Sequence, residues 1–139
     1  MTTHSCIKYT KGWKYQLAED YSQFVTIRPA KGVATDYIRL GMDGRLTVCK
    51  GYAWDGASGP AFDTETILRA SLVHDALYQL MGMKLIDLIH RKAADEHLYQ
   101  IARESGMSWA RAQWVYRAVR LYGKVSKMPE GSHNVLVAS

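Results

Sequence analysis

The chain has 139 residues, of which 47% are hydrophobic and 22% are charged. This composition excludes wholesale disorder and leaves room for one hydrophobic core rather than two. No apolar run approaches the ~20 residues that a membrane-spanning helix needs, and the N-terminus lacks the charged and apolar regions of a secretory signal. We therefore expect a single domain, 1–139, that does not span a membrane and has no signal peptide.

The net charge of +5 is concentrated in one part of the chain. Residues 107–127 contain no acidic residue, and the basic residues there are Arg111, Arg117, Arg120, Lys124 and Lys127. The charges of the remaining basic and acidic residues cancel. The net charge is therefore a property of this one segment, which is predicted to be a basic helix, and not of the whole protein.

The first part of the chain, 12–50, is predicted to be β-rich. Imperfect alternation predicts strands at 13–19 and 24–28, with a turn at 20–22 between them. The stronger signal is a hairpin over residues 37–49, in which Asp43-Gly44 supplies the positive φ that tight hairpins need.

Residues 51–63 are predicted to form an ordered loop rather than a flexible linker. Residues 51–60 contain three glycines and a proline, which indicate special backbone angles. Tyr52 and Trp54 lie among them, and both side chains would be costly to leave exposed.

The region 64–125 is predicted to be helical, with a loose tail over 128–139. Apolar periodicity predicts one helix from Asp63 or Thr64 to Gly82 and another that Ser108 caps. Between them a helix over about 86–104 is predicted, with Ile89, Ala93, Leu98 and Ile101 facing inward. Strands followed by helices indicate an α+β fold: N-terminal antiparallel hairpins, an ordered Gly-rich loop and three packed helices.

The basic third helix has two interpretations. In the favoured one it packs through Trp114, Ala118, Leu121 and Tyr122, and its arginines lie in solvent. The other interpretation is a surface for nucleic acid or for an anionic membrane. We do not expect a nucleic-acid partner on this basis.

A group of polar side chains in the first two helices is a candidate for chemistry. His74 and Tyr78 are four residues apart and share a face of the first helix. If the two helices lie side by side, Asp95, with Tyr99 one turn further on, faces His74. A carboxylate that holds one imidazole nitrogen leaves the other free to remove a proton from water.

The same region offers ligands for a cation. Asp75 is a hard oxygen ligand, Asp55 is another, and the Gly-rich loop supplies backbone carbonyls. Each feature also has a plainer interpretation. His74 then is a hydrogen-bonded core histidine, Asp95 pairs with Arg91 four residues earlier, and Asp55-Gly56 is only a turn.

Residues 71–78 contain the pattern His-Asp-x-x-Tyr and resemble the active-site helix of the phospholipase A2 superfamily. Residues 93–99 resemble its partner helix, and 52–60 its calcium loop. The resemblance implies that His74 is the base, Asp95 its orienting group and Tyr78 a hydrogen-bond partner of Asp95. It also implies Ca²⁺ as the cation, bound by Asp75 and by loop carbonyls near Trp54, Gly56 and Ser58. Asp55 is a further candidate ligand from its position in the loop, and Zn²⁺ is kept open as an alternative cation.

A second resemblance covers more of the chain. The patterns Asp-x-Ala-Ser-x-Pro at 55–60, His-Asp-x-Leu-Tyr at 74–78 and Arg-x-x-Ala-Asp at 91–95 resemble an uncharacterised domain family encoded mostly by phages and prophages. This resemblance implies a phage context, in the cytoplasm of the bacterial host or in the virion, and supplies no established activity.

These observations together predict a phage-encoded, metal-dependent hydrolase that uses His74 and Asp95. By resemblance its substrate is an ester, in the first place a phospholipid, and a cell-wall amide remains open. The alternative is a non-enzymatic phage protein that binds a host or virion protein.

Overall fold

The computed structural model describes residues 9–11, 15–54 and 65–125. In this part of the chain short antiparallel strands precede three helices, which confirms the predicted α+β arrangement. The strands are β1 (Tyr9–Lys11), β2 (Tyr15–Leu17), β3 (Tyr21–Phe24), β4 (Val33–Ala34), β5 (Ile38–Leu40), β6 (Arg45–Val48) and β7 (Ala53–Trp54). The helices are α1 (Glu65–Gly82), α2 (Arg91–Glu104) and α3 (Trp109–Tyr122), and a 3₁₀ turn at Leu88–His90 precedes α2.

The strands form two antiparallel sheets, in the orders β1-β2-β7 and β3-β6-β5-β4. The predicted hairpin is confirmed as β5 and β6, in which Leu40 lies opposite Leu46. Gly44 has a φ of 87°, as the turn requires. Alternation along the hairpin directs Ile38 and Val48 into the core together with the two leucines.

Two of the predicted β boundaries are wrong. The strand expected at 24–28 lies at Tyr21–Phe24, because Tyr21 pairs with Val48 and draws most of the expected turn into the sheet. The predicted loop 51–63 contains β7 at its start, where Trp54 pairs with Tyr15. Residues 55–63 of that loop and the predicted tail 128–139 lie outside the described residues.

Helix α1 is the centre of the core. Large side chains along it, among them Leu72, Leu77 and Leu80, are fully buried, as expected for a helix that is covered on most sides. On the sheet side, Trp54 Nε1 donates a hydrogen bond to Ser71 Oγ at 3.0 Å. On the other side α1 packs against α2. The side chain of His74 therefore lies in the interior.

Helix α2 begins at Arg91, later than predicted. Asp87 accepts a hydrogen bond from the backbone N–H of Ile89 at 2.8 Å and starts the 3₁₀ turn. This geometry leaves Ile89 exposed, whereas the sequence predicted that it would face inward. Leu98 and Ile101 are buried as predicted.

The predicted inward face of α3 is wrong. Trp114, Leu121 and Tyr122 are exposed, and the buried residues of the helix are Ala112 and Val115. These small side chains let α3 lie close to α2, and the larger aromatic side chains are left outside the contact. In the described part of the chain, no helix combines the length and apolar character that crossing a bilayer requires.

His97 joins α2 to the segment after β3, and this contact predicts a pH-dependent stability. Its Nε2 accepts a hydrogen bond from the backbone N–H of Thr26 at 3.0 Å, so the ring must be neutral. Burial lowers the pKa of His97 in the folded protein. The unfolded chain therefore takes up a proton at pH ~6.5 that the folded chain excludes, and the free energy of unfolding should fall as the pH drops below that value.

Urea unfolding of the wild type and of His97→Gln, on either side of pH ~6.5, measures this contribution. We expect the loss on acidification to be smaller in the variant. His90→Gln, a histidine in the 3₁₀ turn, is the matched control and should behave like the wild type. Parallel pH profiles for the wild type and His97→Gln would contradict the prediction.

Candidate functional site

The structure brings His74 and Asp95 together in the contact between α1 and α2. His74 Nε2 lies 2.7 Å from Asp95 Oδ1, which is the distance of a strong hydrogen bond. The hydroxyl of Tyr78 donates to the same carboxylate oxygen at 2.6 Å. The rings of His74 and Tyr78 also pack on each other, with centroids 4.1 Å apart. Helical spacing predicted that Asp95 would face His74, and the phospholipase A2 resemblance implied Tyr78 as a hydrogen-bond partner of Asp95.

The second oxygen of Asp95 is bound by α3. Arg120 Nη1 donates to Asp95 Oδ2 at 2.7 Å. The carboxylate thus receives bonds from His74, Tyr78 and Arg120, and its side chain has no exposed surface. Burial alone would raise the pKa of Asp95, but these three donors outweigh burial and hold the pKa below its ordinary value. Asp95 is therefore a buried carboxylate that stays ionised.

His74 is almost completely enclosed and has carboxylates on both sides. Its side chain is 10% exposed, and its Nδ1 lies 3.8 Å from Asp75 Oδ1, beyond hydrogen-bond length. Burial lowers the pKa of His74, but the two carboxylates raise it more, and the resulting pKa is above the ordinary value. With Nε2 held by Asp95, the nitrogen on the Asp75 side is the one that can exchange a proton with a reactant.

Two arginines complete the group. The favoured interpretation of α3 put Arg120 in solvent, and the plainer interpretation of Asp95 paired it with Arg91. Arg91 instead donates from Nε to the hydroxyl of Tyr78 at 3.1 Å and from Nη2 to three carbonyls at the end of α3. The sequence feature that could have indicated a partner such as Arg120 is Asp95 itself, since a carboxylate on a buried helix face needs a cation.

The described residues supply only part of the predicted cation site. The Asp75 side chain is 37% exposed and lies at the edge of the group. Asp55, Gly56 and Ser58 lie outside the described residues. The Trp54 indole binds Ser71 in the core, so only its backbone carbonyl is left for a cation. Within residues 9–11, 15–54 and 65–125, no three His, Cys, Asp or Glu residues are grouped in a way that could hold a metal ion. The Ca²⁺ or Zn²⁺ site stays a prediction.

Tyr99 lies between α2 and α3. Its ring packs edge-on against Tyr116, with centroids 6.1 Å apart. The two tyrosines line an open cavity of about 390 Å³ together with Glu96, Gln100 and Gln113. A supporting role of Tyr99 toward His74 remains a prediction.

Comparison with known proteins supports membership of an uncharacterised domain family. The model of a family described as "Protein of unknown function (DUF1353)" matches residues 32–119, which is more than half of the chain. The chain belongs to the DUF1353 family. Neither the curated proteins nor the solved structures contain a match to it.

The DUF1353 match includes the hairpin, the whole of α1 and α2, and most of α3. His74, Asp75, Tyr78 and Asp95 therefore all lie in the part of the chain that defines its membership, and Arg120 follows directly after it. Chemically, this group is an imidazole whose orientation is fixed by a buried, ionised carboxylate. Such a pair can move a proton, or it can brace two helices.

Proposed function

We propose that this DUF1353 protein is a phage-encoded hydrolase in which His74 activates a water molecule and Asp95 orients His74. The observation that carries the proposal is the 2.7 Å contact between His74 Nε2 and an Asp95 carboxylate that has no exposed surface. A phospholipid ester is the favoured substrate, because the His-Asp-x-x-Tyr pattern resembles the phospholipase A2 helix. A cell-wall amide is the second substrate class.

In this mechanism each side chain has a defined task. His74 Nδ1 takes a proton from water while the water oxygen attacks the carbonyl carbon of the ester. The positive charge that forms on the imidazole faces Asp95 at 2.7 Å, which stabilises it. When the carbon–oxygen bond of the tetrahedral intermediate breaks, His74 returns the proton to the leaving alkoxide. Tyr78 and Arg120 keep Asp95 in place throughout.

The predicted cation belongs next to this pair. Asp75 would hold it, together with Asp55 and the carbonyls near Trp54, Gly56 and Ser58. A cation there would stabilise the negative charge that develops on the carbonyl oxygen. Asp75 alone supplies far fewer than the six to eight oxygen ligands that Ca²⁺ takes, so the proposal depends on the loop for the others.

The second candidate is a non-enzymatic phage protein that binds a host or virion protein. The large apolar side chains that α3 exposes favour it, because a binding partner would remove them from water. In that case the group around Asp95 only ties the three helices together. This candidate predicts that His74 can be replaced without loss of biological function, whereas the hydrolase cannot tolerate the change.

The experiment is a hydrolysis assay with the purified protein on vesicles of ester-linked phospholipid and on peptidoglycan, with Ca²⁺ or with a chelator. We expect release of fatty acid that depends on Ca²⁺. His74→Gln and Asp95→Asn should each lower the rate by about 10²–10⁴-fold, the usual contribution of a positioned acid–base group.

His90→Gln is the matched control, because it removes an imidazole from the 3₁₀ turn and should leave the rate unchanged. Circular dichroism of each variant shows whether the fold is intact. Turnover that persists in a folded His74→Gln would exclude His74 as the base. No turnover of either substrate class by the wild type would leave the partner-binding candidate ahead.

A further inference from the structure

The end of α3 and the turn before α2 carry large apolar side chains in water. Leu88 and Ile89 in the turn are 60% and 78% exposed, and Leu121 and Tyr122 in the last turn of α3 are 74% and 78% exposed. We call these four residues the junction surface. Exposed apolar residues that are scattered singly need no explanation, but a group of large ones in one place does.

Two contacts show that these segments are neighbours. Arg91 directly follows the turn and donates to the carbonyls of Val119, Arg120 and Gly123 at 2.9–3.1 Å. Leu88 and Val125 also line the same cavity, of about 470 Å³. The 3₁₀ turn therefore lies against the C-terminal end of α3, so the two segments that carry the four apolar side chains are neighbours.

The charge around the junction surface is positive. Helix α3 and the residues directly beside it, 107–125, contain four basic residues and no acidic one. Arg120 is paired with Asp95 and Arg111 lies in the first turn of the helix, so the other two set the charge here. Arg117 and Lys124 are exposed close to Leu121 and Tyr122. The turn contains one acidic residue, Asp87, which accepts a hydrogen bond from the backbone N–H of Ile89, and the basic Lys92 beyond the turn offsets its charge.

We propose that the junction surface docks on an anionic phospholipid bilayer. Leucine and isoleucine side chains gain free energy by entering the boundary between headgroups and acyl chains, and a tyrosine suits that boundary because its ring is apolar and its hydroxyl polar. Lysine and arginine beside them are attracted by the negative surface potential of the lipid. The surface supplies both contributions at once.

Other occupants use only part of this surface. Nucleic acid would engage the basic side chains but would gain little from Leu88, Ile89 and Leu121. A second copy of the chain in a symmetric dimer would bring the acid-free helices together, and their like charges would repel. The proposal goes beyond the hydrolase, since membrane docking requires no reaction at His74.

The test is sedimentation with vesicles of ether-linked lipids, which contain no ester for a hydrolase to cleave. We expect the wild type to bind vesicles that mix phosphatidylcholine with phosphatidylglycerol and to remain in solution with phosphatidylcholine alone. Raising the salt concentration should weaken binding. Binding in this assay is therefore independent of whether the protein is a hydrolase.

Two pairs of variants test the two contributions. Leu121→Ser with Tyr122→Ser should lower partitioning at least about tenfold, because apolar burial is lost. Its control, Phe24→Ser with Met42→Ser, removes two apolar side chains of the β region that are 64% and 62% exposed, and it should bind like the wild type. Arg117→Gln with Lys124→Gln should lower binding about fivefold per charge removed, whereas Arg39→Gln with Arg45→Gln on the sheet should not.

Several results would overturn the proposal. These are no binding to anionic vesicles, equal binding to neutral ones, or unchanged binding of Leu121→Ser with Tyr122→Ser. Binding to an oligonucleotide that depends on Arg117 and Lys124 but not on Leu121, without vesicle binding, would assign the surface to nucleic acid. A dimer in sedimentation velocity that the serine pair dissociates, again without vesicle binding, would assign it to a second copy.

Discussion

Replacing Asp95 with alanine should lower the free energy of unfolding by about 3–5 kcal/mol, the cost of removing one partner from a buried charged network. Asp95 has no exposed surface and binds His74, Tyr78 and Arg120, each at 2.6–2.7 Å. Without it, the imidazole of His74 stays enclosed next to Asp75 and loses its hydrogen bond. Chemical denaturation monitored by the tryptophan fluorescence of the protein measures the loss.

Two further variants show how much of this loss comes from the charge of Asp95, rather than from its volume, and how much comes from its bond with Arg120. Asp95→Asn keeps the size of the side chain and an acceptor, so it should lose less than Asp95→Ala. Arg120→Ala removes one donor whose side chain is 32% exposed, and we expect about 1.5–3 kcal/mol, as for a hydrogen bond to a charged group. In the double variant the two losses should not add, because the residues share a contact. A loss below about 1 kcal/mol for Asp95→Ala would contradict a buried network of this strength.

The parts of the fold that the sequence predicted well are those that local chemistry determines. The hairpin of β5 and β6 follows from alternation on both sides of Asp43-Gly44, which needs no knowledge of the rest of the chain. The strand expected at 24–28 failed because its position is set by pairing with β6. β7 was missed because Trp54 lies opposite Tyr15, a partner distant in the sequence. Such long-range pairing has no local signal.

The candidate site divides in the same way. His74, Tyr78 and Asp95 could be placed together from helical spacing and a short connection between two helices. Arg120 could not, because the inward face of α3 was assigned to its aromatic residues. The structure instead buries Ala112 and Val115. Small side chains give a weak periodic signal, yet they set how α3 is rotated and hence which arginine reaches the carboxylate.

Arg91 binds the end of α3 that carries Arg120, and this contact predicts the second large effect. Arg91 Nη2 donates to the carbonyls of Val119, Arg120 and Gly123 at the end of α3, where a helix has unpaired carbonyls and a partial negative charge. Replacing Arg91 with glutamine removes this cation and should lower the free energy of unfolding by about 2–4 kcal/mol. The loss is measured by urea denaturation.

Arg103→Gln is the matched control, because Arg103 sits on the same helix and donates to a single carbonyl, that of Met107, at 2.7 Å. We expect a loss of about 1 kcal/mol there. Hydrogen exchange should show where the two variants differ: in Arg91→Gln the last turn of α3 opens more often, and the contact of Arg120 with Asp95 opens with it. Equal losses of unfolding free energy in the two arginine variants, with unchanged hydrogen exchange at the end of α3, would contradict this prediction. Packing of α3 on α2 would then be sufficient to hold the helix and to keep Arg120 in contact with Asp95.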